Sequence, residues 1–143
     1  LWKFREASEL KNFDEKKGLT LTYGTPAYNV AWRFDSISGD YWREQAGARH
    51  LDAEGKEIRA QNVVVVFTDV QVLDEVGRRR VRTSGKGTAW ILIEGKLIKG
   101  TWGKSSAMER LRFFDEQKAE VEFVAGPTWI EVISDVNLAR VSE

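Results

Sequence analysis

Cysteine is absent from the 143 residues, and the chain carries a single histidine, a single methionine and two prolines. Without cysteine there is no disulfide and no zinc-thiolate site, although this does not fix a compartment. Net charge is missing as well. Twenty-two basic residues offset 22 acidic ones, which removes the broad positive field that sequence-independent nucleic-acid binding requires, so no nucleic-acid partner is expected. No apolar run approaches the roughly 20 residues of a membrane-spanning helix, and no basic-then-apolar leader opens the chain. Because the first residue is Leu1 rather than Met, the chain is expected to be a processed piece of a longer protein, with any targeting signal lying outside it.

What is present is strand-forming sequence. The stretch 62–73 organises the rest: Val63 to Phe67 is an unbroken run of β-branched and aromatic residues, which reads as a strand covered on both faces. From Thr68 the pattern becomes period two, with Val70 and Val72 opposite Asp69 and Gln71, as for a strand running out to the rim of the fold. Four successive valines lose rotamer freedom in a helix, and no helix cap precedes them.

Residues 1–17 read as a docked N-terminal arm anchored by Trp2, Phe4, Leu10 and Phe13, with a short helical turn from Ser8. Residues 19–23 alternate as a strand that stops at Gly24-Thr25-Pro26. Alternation resumes with Tyr28, Val30, Trp32 and Phe34 on one face, and residues 40–45 return after a turn at 36–39 to make a hairpin. Gly47 and the polar turn at 53–56 lead to the central strand. Turn residues at 74–77 precede the basic stretch Arg78-Arg79-Arg80-Val81-Arg82. The stretch Ser84-Gly85-Lys86-Gly87 is read as a bulge or a close backbone approach within a strand that resumes over 88–93. Glu94-Gly95 closes a hairpin onto 97–102, and 104–110 is the one helical turn expected in the second half. Short strands at 111–114, 119–124 and 128–133 complete the pattern, and 134–143 reads as a C-terminal tail. About ten short strands with regular turn signals predict one all-β domain over 1–143, an antiparallel sheet, barrel-like or sandwich arrangement with little helix.

In their order and spacing, Tyr28-Asn29-Val30-Ala31-Trp32, Tyr41 with Arg43, Gly47, His50 with Asp52, Gln61-Asn62-Val63-Val64-Val65, Thr83-Ser84-Gly85-Lys86-Gly87, Gly95-Lys96, Thr101-Trp102-Gly103-Lys104 and Gly126-Pro127-Thr128-Trp129-Ile130 carry a resemblance. The chain resembles the C-terminal domain of the YerB-like family of bacterial envelope lipoproteins, a family of unknown function, over nearly its whole length. In that family the domain follows a signal peptide, a lipid-modified cysteine and an N-terminal domain. The resemblance implies an extracytoplasmic protein attached to the membrane by a lipid anchor lying outside this chain, and it implies no known activity.

Several groups of residues carry chemistry in principle. His50 and Asp52 share a face if their segment is extended, an arrangement that orients an imidazole for general-base work or supplies two metal ligands. Against that stands a loop histidine held by a neighbouring carboxylate. Tyr41 and Arg43 share a strand face and suit a carboxylate or phosphate, or else form a surface cross-strand pair. Ser84-Gly85-Lys86-Gly87 looks like a fragment of a phosphate loop, but the full spacing is missing, so its glycines are read as backbone geometry. Trp42, Trp102 and Trp129, with Lys104 beside Trp102, either offer a sugar-stacking platform or fill the core. The arginines at 78–82 either face anionic lipid or form a solvated edge. Asn62, a poor strand former at the head of the valine run, is expected in one polar cluster with His50 and Asp52, with Tyr41 and Arg43 on its rim. No complete catalytic set, metal-ligand spacing or cofactor motif is present, so neither metal nor cofactor is expected. The reading is a non-enzymatic binding or assembly module of the bacterial envelope, with a protein partner, the N-terminal domain of the parent chain or a cell-wall polymer as its target. Its alternatives are a glycan-binding module using exposed tryptophans and a wall-processing enzyme centred on His50 and Asp52.

Overall fold

Val63 to Val66 are all buried, and their side chains alternate between two separate apolar cores. That is the two-sided burial expected of an uninterrupted β-branched run. The structure, a computed structural model, describes residues 2–9, 13–24, 26–68, 70–72, 79–81, 85–104 and 110–143. In chain order the strands are β1 (Lys3–Arg5), β2 (Gly18–Leu21), β3 (Val30–Asp35), β4 (Asp40–Gln45), β5 (Ala48–Arg49), β6 (Arg59–Ala60), β7 (Asn62–Phe67), β8 (Val70–Val72), β9 (Arg79–Val81), β10 (Gly85–Ile93), β11 (Lys96–Lys104), β12 (Arg112–Phe114), β13 (Glu122–Val124), β14 (Thr128–Ile133) and β15 (Ala139–Ser142). Among the described residues helical structure is confined to two 3-10 turns, Pro26–Tyr28 and Val136–Leu138. The protein is all-β, as its turn spacing predicts.

A five-stranded sheet in the order β12-β11-β10-β7-β14 lies between two other layers. Val63, Val65, Phe67 and Leu92 on one face pack with Leu19, Leu21, Val30, Trp32 and Tyr41 of the sheet β15-β2-β3-β4-β5, to which β6 adds alongside β4. Val64, Val66 and Ile91 on the other face pack with Phe123 and Val124 of the small β1-β13 sheet. Pairing is mostly antiparallel. Among the described residues the departures are β14 on β7 and β1 on β13, both parallel.

Tyr28 sits in a 3-10 turn and is 62% exposed, because the chain turns at Pro26 before β3 begins at Val30. The first alternating strand ends at Leu21, not Tyr23. Strand β7 stops at Phe67, and Val70–Val72 pairs with Arg79–Val81 as a separate ribbon. Gly85 to Gly87 make no bulge, for they pair in register with Lys104 to Trp102. They are a close approach instead, since a Cβ on Gly87 would lie 2.6 Å from the Trp102 indole nitrogen. The stretch 134–143 contributes β15, an edge strand on β2. The helical turn from Ser8 runs into residues 10–12, and the one at 104–110, the turn at 74–77 and the side chains of the arginines at 78–82 also lie outside the described residues.

The turn between β10 and β11 joins the layers. Glu94 (φ 48) and Gly95 (φ 83) both occupy the left-handed region, as a two-residue hairpin loop requires. Tyr41 Oη accepts from Gly95 N at 2.8 Å, and Gly95 O accepts from Lys17 N at 2.8 Å. On the far side Glu94 fixes the N-terminal arm, accepting from Arg5 Nη2 at 2.5 Å and from Ser8 N at 3.0 Å. Burial alone would raise the Glu94 carboxyl, but the Arg5 guanidinium and the Ser8 donors outweigh it and hold the carboxyl below its usual range.

Candidate functional site

Glu131 is the one charged residue in the apolar pattern of β14, and β14 lies on β7 with Glu131 opposite Val65. This register turns the carboxylate toward the six-stranded sheet, where β4 holds Arg43 opposite Trp32 of β3. Arg43 Nε donates to Glu131 Oε2 at 2.9 Å, and the side chains are 9% and 7% exposed. The same carboxylate accepts from Trp32 Nε1 at 3.0 Å and from Tyr23 Oη at 2.9 Å. Arg43 Nη1 reaches Gln45 Oε1 at 3.0 Å and His50 Nδ1 at 2.7 Å. Since arginine only donates, His50 Nδ1 is the acceptor in this contact. The guanidinium lies 5.0 Å from the Trp129 ring centroid and 6.0 Å from that of Trp32.

So many donors on one carboxylate are what a buried anion needs. Burial, then the charge and hydrogen bond of Glu131, push the Tyr23 phenol far above its ordinary value, while Arg43 opposes them. Tyr23 therefore stays a hydrogen-bond donor to Glu131. Above the pair opens a shallow depression of about 390 Å³ lined by Tyr23, Tyr28, Arg43, Gln45, Glu131 and Val132. Tyr28 and Val132 are exposed at its margin, at 62% and 38%. Strand β14 is the outer strand of its sheet, so the backbone groups on its far side have no strand partner among the described residues.

The residues singled out from the sequence are dispersed. Tyr41 is fully buried on the Gly95 turn, and burial raises its phenol far above its usual value. Arg43 belongs to neither of its two anticipated settings, an open anion site or a surface pair, because its anion is internal. His50 joins Arg43 rather than Asp52. The Asp52 carboxylate caps its own turn, accepting from Glu54 N at 2.8 Å and Lys56 N at 3.0 Å. Among the described residues no hydrogen bond links His50 and Asp52, so the geometry does not assemble that dyad. Asn62 is fully buried and pins a different segment: its Nδ2 donates to Val124 O at 2.8 Å and to Thr128 Oγ1 at 3.0 Å, while its Oδ1 accepts from Val124 N at 2.9 Å. Asn62, His50 and Asp52, expected in one polar cluster, thus each hydrogen-bond within a different set of residues.

Trp102 is 1% exposed, and its indole N–H donates to Phe67 O at 3.0 Å. Trp32 is fully buried, Arg43 lies over Trp129, and the Arg49 guanidinium lies 4.0 Å from the Trp42 ring centroid. Thus Trp102 is core, and cations occupy a face of each of the other two platform candidates. Lys104 lines a separate cleft with Lys86, Arg110, Arg112 and Phe114. Sequence reasoning missed Glu131 and Tyr23. For Glu131 the signal was there, a lone acid in the strand-like run Thr128-Trp129-Ile130-Glu131-Val132-Ile133.

The chain is similar to "Putative lipoprotein YerB" of Bacillus subtilis (strain 168), at 26% identity over 141 residues, covering 96% of this chain and 42% of that protein. Among solved structures, the crystal structure of the YerB protein from Bacillus subtilis shares this fold, with a TM-score of 0.82 at 24% sequence identity, across 99% of this chain and 47% of that one. The chain thus spans less than half the length of these relatives. Residues 19–130 match the family described as "Protein of unknown function (DUF3048) C-terminal domain", and the chain belongs to that family.

Proposed function

We propose that this chain is a non-enzymatic binding module of an extracytoplasmic, lipid-anchored protein, and that it docks a second domain of the same polypeptide. The observation that carries the reading is the depression over Arg43 and Glu131, where exposed Tyr28 and Val132 border the free edge of β14. An apolar margin around fixed polar groups, beside unpaired strand edge, suits a protein surface that can add main-chain hydrogen bonds. Coverage of 42% and 47% of the relatives supports a partner within the parent chain, and the name of the Bacillus relative supports the lipid anchor. The internal roles of Arg43, Glu131 and Asn62 favour binding over catalysis, because each is committed to holding strands together.

The test is calorimetric titration of this domain with the separately produced preceding domain of its parent protein. Saturable binding that weakens roughly tenfold or more in Tyr28→Asp/Val132→Asp supports the reading. No heat of binding, or equal binding by the double variant, sinks it. Retrieval of a different envelope protein with no binding of the preceding domain would reassign the partner.

A further inference from the structure

At the other end of the five-stranded sheet, far along β10 and β11 from the Glu94 turn, Lys86 of β10, Gly103 of β11 and Arg112 of β12 stand in register across three adjacent strands. Residues directly opposite one another in antiparallel strands project to the same face. The two cations therefore flank a position with no side chain, two interstrand steps or roughly 10 Å apart at the backbone. A Cβ on Gly103 would meet one group, the Phe114 ring at 3.6 Å, so the strand pairing does not demand glycine there and the space above it is open. Lys104 and Arg110 line the same cleft, of about 590 Å³, with Gly85 and Phe114.

Among the described residues, four cations and no carboxylate line this cleft, in a chain of zero net charge. Arg110 has a distant ion pair with Glu120 at 3.9 Å. Lys86, Lys104 and Arg112 have no acidic partner among the described residues. This contrasts with Arg59, which bonds Asp35 and Asp40, and with Arg43. Unpaired cations around a bare backbone floor repel one another unless an anion enters. A guanidinium fork beside lysine point charges matches the several acceptor oxygens of phosphate better than the two of a carboxylate. The single, half-buried ring of Phe114 offers no run of stacking faces for bases.

We infer that this cleft binds a soluble phosphate-bearing polyanion, with Lys86 and Arg112 gripping phosphate groups across Gly103, and Lys104 and Arg110 adding charge at the margins. The site is separate from the face over Arg43 and Glu131, so each can fail without the other. The probe is short-chain inorganic polyphosphate, titrated by calorimetry against the folded domain at low and at physiological salt. Wild type should bind saturably and more weakly as salt rises. Lys86→Gln/Arg112→Gln should lose roughly tenfold or more in affinity, whereas Lys16→Gln/Lys56→Gln, an equal change of charge elsewhere, should not. Gly103→Leu fills the floor without touching charge and should weaken binding while circular dichroism stays unchanged. Absence of polyphosphate binding, equal loss in the two charge variants, unimpaired binding by Gly103→Leu, or binding to phosphatidylglycerol vesicles with none to polyphosphate would each overturn the assignment.

Discussion

Arg43 and Glu131 meet between the two large sheets, 88 positions apart in sequence, with Nε and Oε2 at 2.9 Å and both side chains almost wholly out of water. Removing one partner leaves a buried charge uncompensated. Arg43→Ala should cost about 3–5 kcal/mol in urea unfolding. The apolar double variant Arg43→Met/Glu131→Met should lose less than the single one, because no naked charge remains, although Tyr23, Trp32 and His50 then lack a partner. A double variant less stable than Arg43→Ala would show that the pair itself, not the avoidance of an orphan charge, holds the sheets together.

Asn62 acts as a staple between β7 and the segment leading into β14, exchanging bonds with both backbone groups of Val124. Asn62→Ala strands a buried N–H and a buried C=O, and should cost about 2–4 kcal/mol. Asn62→Asp should not restore stability, since a carboxylate has no donor for Val124 O. Thermal unfolding of the two variants checks this, and full rescue by aspartate would mean that packing rather than hydrogen bonding fixes the residue.

The arm from Trp2 to Ser8 should loosen in acid. Arg5 and Ser8 hold the Glu94 carboxyl below the usual glutamate range, against the opposing effect of burial. A carboxylate with a depressed folded pKa stabilises above its unfolded pKa, and that stabilisation disappears as pH falls through the folded value. The Trp2 indole N–H, bonded to Leu111 O at 2.7 Å, is the natural reporter by NMR. Its resonance should move toward a solvent-exposed position below about pH 4.5, before global unfolding. In Glu94→Gln the arm should be looser at neutral pH and the acid step absent. An unchanged acid step in that variant would assign the transition to another carboxylate.

The parts of the fold legible in the sequence were those with local causes. Four valines in a row announced β7 and its two-sided burial, and alternation with Gly at the turns announced the β3-β4 and β10-β11 hairpins. Tyr28 was misplaced because alternation alone does not register that Pro26 opens a 3-10 turn. The parallel pairing of β14 with β7 left no local mark, since among the described residues no crossover helix precedes β14. Arg43 looked like a surface cation because its counter-ion arrives from a distant strand. Asn62 was recognisable as anomalous, but the residue it pins lies 62 positions downstream. The basic cleft was hidden for the same reason: Lys86, Lys104 and Arg112 come together through strand register, which no single stretch of sequence displays.

A docked second domain would cover the edge of β14 and the face over Arg43 and Glu131. Amide hydrogen exchange, followed by mass spectrometry on this domain alone and on the intact parent protein, reads that face without prior choice of partner. Thr128–Ile133 and the Pro26–Tyr28 turn should become slower to exchange in the intact protein, while β12 and the Lys86 end of β10 should be unchanged. Identical exchange at Thr128–Ile133 in the two would contradict this docking.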